Sequence, residues 1–169
     1  MLIMRAIIAA AGRRLVLIDS NIIPTMTSNT TPSGIASATS SFDIHLPWRA
    51  FDKNGGTYWM SASDFWPTGG FIGYEFTSPK IIQKYSLRIW ADGVDYWPSA
   101  WLFQAWDGSS WVTLDTQSGV TWSFGGQTRS YTISNSTAYS RYRLWLSSTG
   151  SGRSRAILSE VEMMEAVWQ

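Results

Sequence analysis

The 169-residue chain has no cysteine, a single histidine, and charge on only 15% of its residues. Without cysteine there is no disulfide framework, thiolate zinc site, thiol nucleophile or iron–sulfur cluster, so the fold must rest on buried apolar surface. The lone histidine, His45, has no neighbouring cysteine and no His–Glu partner at helical spacing, which excludes a transition-metal site. Catalytic signatures are missing too: there is no Gly-x-Ser-x-Gly elbow, phosphate loop or zinc-protease helix motif. Only loose carboxylate pairs such as Asp92 and Asp95 remain for glycoside hydrolysis. A net charge of +1 gives no general attraction to nucleic acid. No apolar run is long enough to cross a bilayer, and the stretch between Arg5 and Gly12 is too short for a secretory leader.

What the chain has in excess is aromatic: 11 Trp, 7 Tyr and 7 Phe, set among many Ser, Thr and Gly. That mixture suits short strands joined by turns and is poor material for long helices. So many rings exceed what one small core should need, which predicts that some face a partner. From Ile35 onward strands recur at short spacing. Ile72, Tyr74 and Phe76 alternate with Phe71, Gly73 and Glu75, and Tyr85, Leu87 and Ile89 alternate with Lys84, Ser86 and Arg88. Trp101, Phe103 and Ala105 lead to an Asp107-Gly108 turn and return through Trp111 to Leu114, predicting a hairpin over 101–114. Further strands are expected at 128–133, 141–146 and 156–163, with one helical turn at Trp48–Phe51 opened by Pro47. The reading is all-β, a two-sheet sandwich or jelly roll with long loops at one end.

The first 25 residues differ. Met1–Ala11 is apolar apart from Arg5, Arg13 and Arg14 follow, and Leu15–Ile18 is a short β-favouring run. Residues 1–25 are read as an N-terminal arm or extra strand that docks on the domain or on a neighbouring chain, and 26–169 as the domain proper.

Residues 50–59, Ala-Phe-Asp-Lys-Asn-Gly-Gly-Thr-Tyr-Trp, are followed by Asp107-Gly108-Ser109-Ser110-Trp111, Arg141-Tyr142-Arg143-Leu144 and Leu158-Ser159-Glu160-Val161-Glu162. In that order, over residues 27–165, these blocks resemble the discoidin or coagulation-factor type C domain and the related galactose-binding-like carbohydrate-binding modules. The style is that of copies in phage tail and bacterial adhesion proteins. The resemblance implies a jelly-roll β-sandwich of about eight antiparallel strands. Two residues depart from it. Lys53 stands where the family has Gly, in a turn where positive φ is needed, and Trp106 stands where a small Ser is usual.

In the sugar-binding branch the Asp-x-Asn-x-x-Thr loop wraps a structural calcium closed by a carboxylate from the last strand. The resemblance therefore implies one Ca2+ held by Asp52, Asn54, Thr57 and Glu160, oxygen donors of the kind calcium takes. The plainer reading is that Asp52 and Thr57 cap the turn by hydrogen bonds to its backbone. A sugar site needs an aromatic face and a few fixed polar groups. In the loops at the family's binding end, Trp66 and Trp97 are expected as the stacking platform, with His45, Asp95 and Arg153 as hydrogen-bonding partners. Trp59, Trp111 and Trp145 are read as structural, Trp48 and Trp101 as packing, and Trp106 as further contact surface.

Between Asp115 and Glu160 there is no acidic residue, while Arg129, Arg141, Arg143, Arg153 and Arg155 fall in that span. This suits anionic glycans or lipopolysaccharide phosphates; the alternative is that Arg141 and Arg143 share a strand face and pair with carboxylates such as those of the C-terminal strand. The expected function is non-catalytic glycan recognition in many copies, within a phage virion or bacterial surface assembly that the arm joins. The rival readings are a structural virion protein without sugar binding and membrane attachment through aromatic loop tips.

Overall fold

The computed structural model describes residues 12–63, 68–150 and 154–169. The described residues form eleven strands and no α-helix: β1 (Leu15–Asn21), β2 (Ile35–Ala38), β3 (Trp59–Met60), β4 (Gly70–Lys80), β5 (Ile82–Arg88), β6 (Pro98–Trp106), β7 (Trp111–Gln117), β8 (Thr128–Thr132), β9 (Tyr139–Thr149), β10 (Ile157–Leu158) and β11 (Glu160–Trp168). They build a four-stranded sheet in the order β1-β11-β5-β8, a five-stranded sheet in the order β2-β4-β9-β6-β7, and a small β10-β3 pair. The expected alternations, the 101–114 hairpin and the turn at Pro47–Ala50 are all present. The count exceeds eight because β1, β2 and the two-residue strands β3 and β10 add to seven other strands.

The two sheets face each other across an aromatic core. Tyr85 stacks on Phe103 at 4.3 Å and Phe103 on Tyr142 at 5.7 Å, with Trp59, Trp101, Ile72, Leu87 and Leu144 buried around them. The polar tips of Tyr85, Trp101 and Tyr142 find partners, as a low-dielectric interior favours. Trp101 Nε1 donates to Tyr85 Oη at 2.9 Å, Tyr85 Oη donates to Asp115 Oδ2 at 2.6 Å, and Tyr142 Oη donates to the Lys80 carbonyl. Trp101 is thus the packing residue it was read to be.

Leu15–Asn21 lies along β11, Leu15 opposite Trp168 and Leu17 opposite Ala166, and Ile23 is fully buried in the core. This part of the arm is an edge strand of the sandwich; residues 1–11 lie outside the described residues. Because every pairing is antiparallel, β2, β5, β7 and β9 finish where β4, β6, β8 and β11 begin. Five connections therefore leave from and return to one end, their described residues being 39–46, 61–63, 68–69, 89–97, 118–127, 150 and 154–156. The other end has tight links, including the Asp107-Gly108 turn, where Asp107 Oδ1 accepts the Ser109 and Ser110 N–H groups at 2.8 Å each. Those two donors hold the Asp107 carboxyl down at about 2.

Candidate functional site

The open end is laced by backbone hydrogen bonds between loops distant in sequence. Phe42 N–H donates to Met60 O at 2.9 Å, Ser61 N–H to Ala156 O at 3.0 Å, and Gly150 N–H to Trp97 O at 3.1 Å. Trp122 Nε1 adds a bond to Pro98 O at 2.7 Å. Such cross-links give loop side chains defined positions, which loops otherwise lack.

On this base His45 and Tyr58 form a platform. Their rings stack at 4.1 Å and 12°, and the far side of Tyr58 meets Trp90 at 4.5 Å. Tyr58 lies beside fully buried Trp59 in an extended segment, so the period of two turns it outward where Trp59 turns in. The His45 pKa lies below the ordinary value, first because of burial and then because of the nearby Arg49 charge; a bond to the Tyr58 backbone and Asp43 oppose this. The ring is therefore neutral at pH 7 and can both donate and accept. Beside it is a shallow cavity of about 180 Å3 lined by Ile44, His45, Arg49, Gly56, Thr57 and Tyr58. Arg49 is fixed by its Nε bond to Ile44 O at 2.9 Å and by stacking 4.7 Å over Trp48. Close by in the same loops, the Arg155 guanidinium covers Phe42 at 3.7 Å. An aromatic face with a neutral imidazole and a cation is chemistry that holds a sugar ring and its hydroxyls.

Of the expected site residues, His45 is in this platform. Asp95 is in the short 3-10 turn Val94–Tyr96, half-buried. Trp97 does not offer a stacking face: it is only 7% exposed, with its indole folded inward where the turn runs into Pro98 and β6. Trp66 and Arg153 lie outside the described residues. Sequence reasoning missed Tyr58 and Arg49. The signal for Tyr58 was its alternation with Trp59; Arg49 had none, since only the 3-10 turn brings it to the cavity.

The Asp52 loop is wound tightly. Asp52 Oδ1 accepts Asn54 N–H at 2.9 Å, Oδ2 accepts Thr57 Oγ1 at 2.6 Å, and Asn54 Oδ1 accepts Gly56 N–H at 2.9 Å. These are the capping bonds of the plainer reading. Lys53 takes φ +56°, the left-handed conformation for which the family uses glycine, and its side chain is exposed. The carbonyls of Gly55 and Thr57 both turn towards β11, where Ser159 Oγ donates to them at 3.3 and 3.0 Å. Next to Ser159, Glu160 is 7% exposed and neither carboxylate oxygen has a hydrogen-bond partner among the described residues. Burial, reinforced by the neighbouring Asp52 carboxyl, pushes Glu160 up to about 8. Two buried carboxyls set together with inward carbonyls, one of them orphaned, make a donor set that fits a hard divalent cation. No group of three or more His, Cys, Asp or Glu gathers among the described residues, so any such ion would depend on amide and backbone oxygens as well.

The basic span divides. Arg141 and Arg143 do share one face, but Arg141 pairs with Glu75 of β4 at 2.8 Å and not with the C-terminal strand. Arg143 meets no carboxylate among the described residues. Trp111 and Trp145, read as structural, are half-buried on the outer face of the five-stranded sheet and belong to no core cluster.

No family model matches the sequence, and no curated protein does. Solved structures match well. The family 32 carbohydrate-binding module of NanJ from Clostridium perfringens, in complex with galactose, has a TM-score of 0.66 at 14% identity, covering 78% of this chain and 93% of that chain. The CpGH89CBM32-5 module from Clostridium perfringens, in complex with GalNAc-β-1,3-galactose, has a TM-score of 0.65 at 16% identity, covering 77% and 94%. Chitosan-binding module 1 from a chitosanase/glucanase of Paenibacillus sp. IK-5 has a TM-score of 0.63 at 21% identity, covering 80% and 98%. These neighbours are modules of the galactose-binding, discoidin-like type, and the chain shares their all-β sandwich fold.

Proposed function

We propose that the domain is a non-catalytic carbohydrate-binding module that recognises a cell-surface glycan at its open end. The observation that carries this reading is the His45–Tyr58 platform beside the Arg49 cavity, on a fold whose neighbours are complexed with galactose and GalNAc-β-1,3-galactose. His45, backed by Tyr58, supplies the flat surface, and the imidazole and the Arg49 guanidinium supply fixed hydrogen bonds to ring hydroxyls. A shallow single site binds one sugar weakly, so useful affinity comes from many copies on one surface. That suits a virion tail or capsid surface, or a bacterial surface assembly, with lipopolysaccharide or another surface glycan as the target. The test is a glycan array probed with a multimerised form of the protein. Binding to galactose-type or lipopolysaccharide-derived sugars that is lost in His45→Ala is expected; silence across the array overturns the reading.

A structural Ca2+ held by Asp52, Asn54, Thr57 and Glu160 belongs to the same reading, supported by the orphaned Glu160 oxygens beside Asp52. Bound there, the ion would neutralise two buried carboxylates and pin the loop that carries Tyr58. A chelator should lower the melting temperature, and no change on adding it removes calcium from the account. Residues 1–11 are proposed as the assembly segment. Deleting them leaves β1 in place, and unaltered incorporation into particles would end that assignment.

A further inference from the structure

The outer face of the five-stranded sheet carries a built groove that the open-end site does not use. Antiparallel register lines up Ser37, Gly73, Arg143, Gln104 and Thr113 in one row across five strands, with Phe71, Trp145 and Leu102 in the row beside it. Gly73 makes the depression. A Cβ there would fall 2.6 Å from the Tyr142 carbonyl and 3.0 Å from Arg143 Cβ, so the position stays bare. The result is a cavity of about 260 Å3 between Ile35 and Ser37 on one side and Trp111 and Arg143 on the other.

Arg143 sits where three rings meet. Its guanidinium lies 3.9 Å from the Trp111 ring centroid, 4.9 Å from Trp145 and 5.5 Å from Phe71. Its Nε donates to Gln104 Oε1 at 2.9 Å, a neutral acceptor, and that is its one hydrogen bond among the described residues. The nearest acid on the face, Glu75, is already taken by Arg141. The groove therefore holds one uncompensated, preoriented cation with terminal N–H groups to spare, framed by flat apolar surface.

We propose that this face is a second binding surface, for an acidic polysaccharide segment, with Arg143 holding a uronate carboxylate and Trp111 and Phe71 stacking on adjoining sugar rings. The surface stands apart from the open-end site and does not need it. A uronate fits because its planar carboxylate lies along the pyranose ring, so one shallow groove can present the fork and the stacking surface together. Single-stranded nucleic acid also stacks on aromatic faces, but it brings a phosphate at every unit and requires a row of cations. The groove has one.

The experiment is an NMR titration of the full chain with hexagalacturonate, with its methyl ester, and with an oligodeoxythymidylate of the same length. Hexagalacturonate should shift the Trp111 and Trp145 indole N–H signals. The uncharged ester should bind about tenfold more weakly, and Arg143→Lys, which keeps the charge but loses the fork, should weaken the acid form by a similar factor. Should Arg143→Lys fail to fold, the ester comparison on the unaltered protein still decides. Equal binding of acid and ester, shifts confined to the open-end loops, tighter binding of the oligonucleotide, or no shift at millimolar ligand each overturns the proposal. Galactose binding at His45 and Tyr58 is read in the same spectra from different signals, so either surface can fail without the other.

Discussion

The open end and the outer face of the five-stranded sheet are both aromatic surfaces with an arginine, yet they are made in different ways. At the open end the residues come from nearby stretches: His45, Arg49 and Tyr58 lie within 14 positions, held by loop-to-loop hydrogen bonds. On the sheet face Phe71, Gln104, Trp111 and Arg143 come from four strands and meet only because the register aligns them. A surface of the first kind can change by loop substitution while the sandwich stands. One of the second kind is part of the sheet, so its recognition and its stability are coupled.

The largest effect that tests this contrast concerns the tryptophans. Trp59→Ala removes a fully buried ring whose Nε1 donates to Ser40 O, and should cost about 3–5 kcal/mol. Trp111→Ala removes a half-buried ring and a cation–π contact, and should cost only about 1–2 kcal/mol. Equal losses in chemical denaturation would mean that the sheet face is core and not surface.

Next comes the pH dependence of the Asp52–Glu160 pair. Glu160 is raised to about 8 in the folded chain, so between roughly pH 4.5 and 8 the folded state binds more protons than the unfolded state. Stability must then fall as pH rises through that window and level off above it. In the presence of EDTA the loss should be on the order of a few kcal/mol, read as a falling melting temperature. Calcium at pH 8 should restore it; a flat profile would show that the pair is not coupled to folding.

Smaller still is the difference between two arginines on one strand face. Arg143→Met gives up three ring contacts and the Gln104 bond, and should cost about 1–2 kcal/mol. Arg141→Met breaks an exposed pair with Glu75 and should cost under about 1 kcal/mol. The reverse order in thermal melts would place the packed cation at the edge instead of the centre of the face. The smallest effect is a gain. Lys53→Gly removes a side chain from φ +56° and should stabilise by up to about 1 kcal/mol, unless the glycine's greater unfolded-state entropy cancels it.

Much of the fold was legible because strands write themselves in a period of two. The alternation in Tyr85-Ser86-Leu87 and Phe103-Gln104-Ala105 assigns each residue to a face, and both odd-numbered sets are fully buried. The Asp107-Gly108 turn was legible for a local reason too, since its carboxylate bonds the next two donors. Trp97 was misread because a loop tryptophan before a proline carries no mark of whether it folds in or out. Trp111 and Trp145 were misread because a strand position shows alternation but not which face meets the other sheet. Edge and outer-face residues then look alike until the sheets are packed.

Local patterning is enough to dictate the all-β class, the strand hairpin and the turn chemistry, because each depends on contacts between residues a few positions apart. The sequence also excludes thiol, disulfide and transition-metal chemistry through the missing cysteine and the single histidine. Packing between the sheets and loops settles which aromatics are surface, that Glu160 and Asp52 are buried, and that Arg143 lies among three rings with no carboxylate partner among the described residues. Those outcomes depend on sheet register and on loops meeting at one end, and both are settled by packing between segments that can lie more than a hundred residues apart.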